Sequence, residues 1–78
     1  MSEEKDRNFE HLYFRKRESH WGAYNNLDEY LGLLQLENVG RHMHWCWYQE
    51  TGIRMTPGCL QNVKDMQKEL FKERKKDG

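Results

Sequence analysis

The stretch His42-Met43-His44-Trp45-Cys46-Trp47-Tyr48 decides how this chain of 78 residues folds. It contains two of the four histidines, one of the two cysteines and two of the three tryptophans. At the helical period of 3.6 residues, Met43 and Trp47 share one face and the histidines diverge. At the strand period of two residues, one face instead carries His42, His44 and Cys46. The conformation of this stretch therefore determines which of its side chains can act together.

Two observations point in opposite directions for residues 41–50. Aromatic residues favour a strand, and Ile53 and Met55 could form a second strand after a turn at residues 50–52. An isolated two-stranded hairpin is weak, however, unless a helix covers it. We therefore favour a helix over residues 41–50 that ends at Gly52.

Two earlier segments also carry helical signals. Within residues 7–18, Leu12 and Tyr13 follow Phe9 by three and four residues, a spacing that indicates one apolar face of an amphipathic helix. Residues 26–37 begin with Asn26 and Glu29 in an arrangement like a capping box, and Gly40 suits the C-cap.

The last helix has the clearest start, because Thr56 is a good N-cap and Pro57 suits the first helical position. Its apolar stripe is Leu60, Val63, Met66 and Leu70, with Phe71 beside it. The sequence thus predicts an all-α fold, a small bundle of three or four helices in one domain over residues 1–78. Residues 1–5 and 73–78 are expected to fray. The alternative is an α+β fold with a short hairpin at about residues 42–55.

Composition limits the classes of function. The chain has 13 basic and 13 acidic residues, whereas nonspecific nucleic-acid binders are usually basic. Two cysteines are too few for a secreted disulfide scaffold. The first six residues lack the apolar segment of a signal peptide, and no stretch approaches the roughly 20 apolar residues of a membrane span. We expect a cytoplasmic protein with reduced thiols and no membrane partner.

Zinc is one chemistry that the central stretch could support. Four ligands are available in principle, and they are His42, His44, Cys46 and Cys59. Only the strand conformation brings the first three to one face, and the spacing is not a standard zinc-knuckle pattern. We therefore predict no metal, and a small zinc-stabilised domain is kept as a second alternative.

A reactive thiol is a weaker hypothesis. Cys59 would lie in the first turn of the last helix, where the helix dipole favours a thiolate. No cysteine–histidine spacing in the chain defines a known mechanism, and free cysteine is commonly a small buried residue. We predict neither enzymatic activity nor a cofactor.

Residues 45–70 resemble the outline of a helix-turn-helix unit, with a glycine turn at Gly52 followed by a capped helix. Tyr48 departs from that pattern, since these units place a small residue there. The last helix carries a lysine stripe at residues 64, 68, 72 and 76, and an acidic stripe at residues 65, 69 and 73 lies beside it. The acids would repel phosphates, so nucleic-acid binding is the alternative function.

The aromatic surplus favours a protein-binding surface. Aromatic residues make up 13% of the chain, and tryptophan, tyrosine and arginine dominate binding hot spots. We predict a small non-catalytic regulatory domain that binds another protein, and that could also form a homodimer. The candidate binding residues are Trp21, Tyr24, Arg41, Trp45, Trp47, Tyr48 and Arg54.

Overall fold

The computed structural model describes residues 6–77, with side chains for residues 6–74. It contains five strands and one helix. They are β1 (Arg7–Asn8), β2 (Leu12–Lys16), β3 (His20–Asn25), β4 (Tyr30–Val39), β5 (His42–Gln49) and α1 (Pro57–Asp77). Each strand pairs antiparallel with its neighbour in chain order, so the sheet is a simple meander. The prediction of an all-α bundle of three or four helices is therefore wrong.

The predicted first helix is replaced by β1, β2 and the turn between them. Leu12 and Phe14 are buried on one face of β2, and Tyr13 between them is only half-buried on the other. This alternation is the period of a strand. The spacing of Phe9, Leu12 and Tyr13 resembles that of a helix by coincidence. Phe9 lies before the turn, whereas Leu12 and Tyr13 lie after it on β2.

The predicted second helix is replaced by β4 and the turn that precedes it. The side-chain oxygen of Asn25 accepts hydrogen bonds from the main-chain N–H groups of Leu27 and Glu29, both at 2.9 Å. A side chain that binds the following N–H groups is common to tight turns and helix starts. The prediction of Asn26 as a helix N-cap is therefore wrong, because its neighbour Asn25 makes these bonds and closes the connection between β3 and β4.

The segment 42–55 does not form the short hairpin of the α+β alternative. Strand β5 pairs with β4 along its whole length, from Val39 opposite His42 to Gly32 opposite Gln49. The two-residue turn between them has Gly40 at a φ of +65°, a conformation that glycine adopts without steric cost. Gly40 had been assigned to a helix end, which demands the same backbone conformation.

Helix α1 begins at Pro57, as the sequence predicted. The hydroxyl of Thr56 accepts a hydrogen bond from the N–H of Cys59 at 3.2 Å, which confirms the N-cap. Helix α1 continues to Asp77, and the fraying expected of residues 73–77 stays a prediction. The same expectation for residues 1–5 and for Gly78 lies outside the described residues.

The core lies between α1 and one face of the sheet. Its helical part is Val63, Met66 and Leu70, whose spacing of three and four residues places them on one side of α1. Its sheet part is Leu12, Phe14, Trp21, Ala23, Leu31 and Leu34. Leu60 and Phe71, predicted for the same stripe, are 40% and 53% exposed. The opposite face of the sheet has no helix over it among the described residues, and we call it the open face.

Polar contacts fix the position of α1 on the sheet. The buried side chain of Asn62 accepts a hydrogen bond from the main-chain N–H of His11 at 2.8 Å. Near the other end of α1, the guanidinium of Arg7 binds the carboxylate of Glu73 and lies 3.9 Å from that of Glu69. The acidic flank of the helix therefore faces β1, and its other flank faces β5.

Among the described residues, no helix is both long enough and apolar enough to cross a membrane.

Candidate functional site

Among residues 6–77, strand β5 is an edge of the sheet, with β4 on one side and no strand on the other. The N–H of Glu50 donates to the carbonyl of Leu31 at 2.9 Å, in the same register as the rest of this strand pair. In an antiparallel pair, successive residues direct their main-chain groups alternately toward the partner and away from it. The groups that point away therefore belong to Met43, Trp45, Trp47 and the terminal Gln49, and we call those of the first three the β5 edge.

The β5 edge lacks the features that usually protect edge strands. Residues 42–49 include no lysine, arginine, aspartate, glutamate, glycine or proline. Natural proteins use such residues, short strands or bulges to prevent another chain from pairing with an edge. The opposite edge, β1, is only two residues long, so β5 is the better template for an additional strand.

Helix α1 covers the β5 edge at one point. The side-chain amide of Gln67 donates a hydrogen bond to the main-chain carbonyl of Trp45 at 2.8 Å. This amide occupies the position that the N–H of an added strand would take. The main-chain groups of Met43 lie on one side of this contact and those of Trp47 on the other.

A groove of about 390 Å³ lies between the β5 edge and α1. Its apolar part comes from Met43, Trp45 and Phe71. Its polar lining is His44, Lys64, Gln67, Lys68 and Arg74. The lining thus contains three cationic side chains and no carboxylate, and we call it the basic groove. Sequence reasoning missed it as a site, because nothing local in the sequence shows that this flank of α1 lies opposite Met43.

The tryptophans mainly serve packing. Trp21 is 1% exposed in the core, while Trp45 and Trp47 are half-buried against it on the helix side of the sheet. The cations of Arg7 and Lys16 lie 5.0 and 5.2 Å from the Trp21 ring centroid. Of the three predicted binding tryptophans, only those of β5 reach the surface.

The other predicted binding residues do not form one patch with them. Tyr24 and Tyr48 lie on the open face, where β4 separates their strands. Arg41 is exposed in the turn before β5, and Arg54 is exposed in the loop after it. The seven candidates are therefore divided among the core, the two faces of the sheet and the two ends of β5.

The open face carries a pair of stacked tyrosines, Tyr13 and Tyr24, whose hydroxyl groups are already engaged. Tyr13 stacks on Tyr24 with ring centroids 5.4 Å apart, and the Tyr24 hydroxyl accepts a hydrogen bond from Arg17 at 2.8 Å. The Tyr13 hydroxyl donates to Asp28 at 2.7 Å, and the hydrogen bond to this carboxylate raises the pKa of Tyr13. The hydroxyl groups of this pair thus already have hydrogen-bond partners in Asp28 and Arg17.

The hydroxyl of Tyr48, on the β5 side of the open face, is engaged as well. Its hydroxyl donates to the carboxylate of Glu37, and this hydrogen bond raises the pKa of Tyr48. A phenol that donates to a carboxylate is held in its neutral form.

The strand conformation of residues 42–48 does not create a zinc site. His42 and His44 share the open face, with ring centroids 6.3 Å apart. Cys59, the proposed fourth ligand, is on α1 and packs against the core on the other side of the sheet. Among the described residues, no group of three or more histidine, cysteine or acidic side chains is placed to hold a metal ion.

The helix-turn-helix outline is not formed either, because residues 45–49 belong to β5. Within residues 6–77, α1 is the only helix. Comparisons with protein-family models, with curated proteins and with solved structures found no match to this chain.

Proposed function

We propose that this chain is a non-catalytic domain that binds a protein partner by accepting an extended segment of that partner along the β5 edge. The observation that carries the proposal is the unprotected edge, eight residues long, with outward main-chain groups at Met43, Trp45 and Trp47. An added strand satisfies such groups through its own backbone, which is a common mode of peptide recognition.

We prefer the β5 edge to the open face for a physical reason. On the open face, the hydroxyl groups of Tyr13, Tyr24 and Tyr48 already have hydrogen-bond partners. Binding there would exchange existing hydrogen bonds for new ones. At the β5 edge, only the carbonyl of Trp45 is engaged by α1, so binding adds hydrogen bonds.

Selection from a displayed library of random peptides tests this proposal. We expect the selected peptides to slow amide hydrogen exchange at Met43, Trp45 and Trp47. A library that yields no binder, or binders that slow exchange only on the open face, would refute the proposal.

A pair of variants tests the role of the backbone. Met43→Pro removes one outward N–H, and proline is tolerated at this kind of edge position. Met43→Leu keeps the N–H with a side chain of similar volume. We expect Met43→Pro to weaken peptide binding at least tenfold and Met43→Leu to change it by less than threefold. Equal affinities for the two variants would contradict strand addition.

Further measurements distinguish a peptide from two other kinds of partner. A second copy of the chain could pair its own β5 with this edge, and light scattering would then report a stable dimer that peptides dissociate. A single-stranded oligothymidylate that binds with a steep salt dependence would favour nucleic acid instead.

A further inference from the structure

We infer that the segment received along β5 is acidic, with carboxylates that meet Lys64, Lys68 and Arg74 and an apolar side chain that enters between Met43 and Phe71. This inference rests on the proposed function and specifies the chemistry of the partner.

Charge is distributed unevenly around α1. Lys64, Lys68 and Arg74 line the basic groove. Among the described side chains, no carboxylate lies within 4.0 Å of the nitrogen atoms of these three cations. The groove is therefore positive, although the whole chain has a net charge of zero.

The acids of the same helix have other partners. Glu69 and Glu73 lie beside Arg7 on the flank that faces β1. Asp65 accepts a hydrogen bond from Gln61 at 3.1 Å. The acidic stripe that argued against an anionic partner thus lies largely on the wrong side of α1 to repel a ligand beside β5.

The floor of the groove is apolar. Phe71 is 53% exposed, and Met43 is half-buried beside the β5 edge. A strand added to β5 directs every second side chain toward this side of the sheet. If the added strand has an apolar residue with an acidic residue two positions before and after it, all three side chains point toward the groove. The apolar side chain then lies on the floor, and the two carboxylates lie beside the cations of Lys64, Lys68 and Arg74.

These features favour a peptide over a nucleic-acid strand. The β5 edge presents both N–H donors and C=O acceptors, and a peptide backbone complements both. The phosphates of a nucleic-acid backbone only accept hydrogen bonds, so that backbone cannot satisfy the C=O groups of the edge. Complementary charge also raises the association rate and rejects basic segments.

The test uses three synthetic peptides that differ only in charge. The acidic probe is Glu-Thr-Val-Thr-Glu-Thr-Val-Thr-Glu, which reads the same in both directions and therefore allows either strand orientation. In the matched probes, glutamine or lysine replaces the three glutamates. Affinity is measured by titration calorimetry at low ionic strength, and the site of binding by amide hydrogen exchange.

We expect the acidic probe to bind at least tenfold more tightly than the glutamine probe, with the lysine probe weakest. The double variant Lys64→Glu/Lys68→Glu should reverse this order. Lys72→Glu is the control, since it makes a charge change on the same helix at a residue that does not line the groove. We expect it to change affinity for the acidic probe by less than threefold.

The outcomes separate this inference from the proposed function. If the acidic and glutamine probes bind equally well and both slow exchange at β5, the inference is wrong and the proposed function stands. If no probe slows exchange at β5, the acidic segment is refuted, and the proposed function is then decided by the peptide library. An oligothymidylate that binds more tightly than the acidic probe, and loses affinity in the same double variant, would also overturn the inference.

Discussion

The side-chain amide of Gln67 on α1 donates a hydrogen bond of 2.8 Å to the main-chain carbonyl of Trp45 on β5. The bond joins the only helix of residues 6–77 to the edge of the sheet, and it is partly shielded from solvent. It also sets the separation of the two walls of the basic groove. Stability and the shape of the candidate site therefore depend on the same contact.

Replacement of Gln67 by alanine should lower the free energy of unfolding by about 1–2 kcal/mol, because the Trp45 carbonyl loses its partner in a half-buried position. Urea denaturation followed by circular dichroism measures the change. Gln61→Ala is the control, since Gln61 is exposed and bonds only within α1 to Asp65. If Gln61→Ala lowered the free energy of unfolding as much as Gln67→Ala, the loss would come from contacts within the helix and not from the link to β5.

Gly32 is the most sensitive glycine of the described residues. Its φ is +153°, and an added Cβ would lie 2.3 Å from the Tyr48 carbonyl oxygen and 2.8 Å from the Trp47 ring. Backbone strain and overpacking each cost on the order of 1–3 kcal/mol, so Gly32→Ala should remove most of the stability of so small a domain.

Gly52→Ala is the matched control for that experiment. Gly52 has a φ of +82°, but no heavy atom lies within 4 Å of its added Cβ. We expect it to cost only about 1–2 kcal/mol, from backbone strain alone. Equal losses of stability in thermal melts of the two variants would contradict the close approach of β4 and β5 at Gly32.

Helix α1 could be predicted from sequence because its signals are local. Thr56, Pro57 and the stripe through Val63, Met66 and Leu70 all lie within the helix or beside its first turn. The core residues of α1 were therefore identified correctly, apart from Leu60 and Phe71.

The sheet could not be predicted in the same way, because its stability comes from pairing between distant residues. The leucine-rich segment of β4 would suit a helix in isolation, and tertiary pairing overrides that preference. Gly32 within the segment was the available signal against a helix, since glycine weakens helix interiors.

Only parts of the candidate site could be predicted from the sequence. The lysine spacing on α1 could be seen, and so could the aromatic content of residues 42–48. Their juxtaposition depends on β5 being the last strand of the sheet and on α1 folding back over it. Neither follows from residue spacing within either segment.

The tyrosines of the open face predict a dependence of stability on alkaline pH. The hydrogen bond to Asp28 raises the pKa of Tyr13 above that of an unfolded tyrosine. From neutral pH up to the ordinary tyrosine pKa of about 10, the bond to the ionised carboxylate therefore stabilises the folded state. This contribution is lost as the pH rises through the higher pKa of the folded state.

Ring-labelled tyrosine NMR can follow each phenol separately. We expect Asp28→Asn to lower the pKa of Tyr13 without changing that of Tyr48, and Glu37→Gln to do the reverse. A shift of both phenols in either variant would indicate a general change of the open face rather than two separate hydrogen bonds.

Amide hydrogen exchange along β5 in the free protein tests the central claim most directly. If β5 is an open edge, the N–H groups of Met43, Trp45 and Trp47 have no strand partner, whereas those of His44, Cys46 and Tyr48 bond to β4. We expect the first three to exchange at least tenfold faster than the second three. Equal protection of all six amides would contradict it, because β5 would then be paired on both sides.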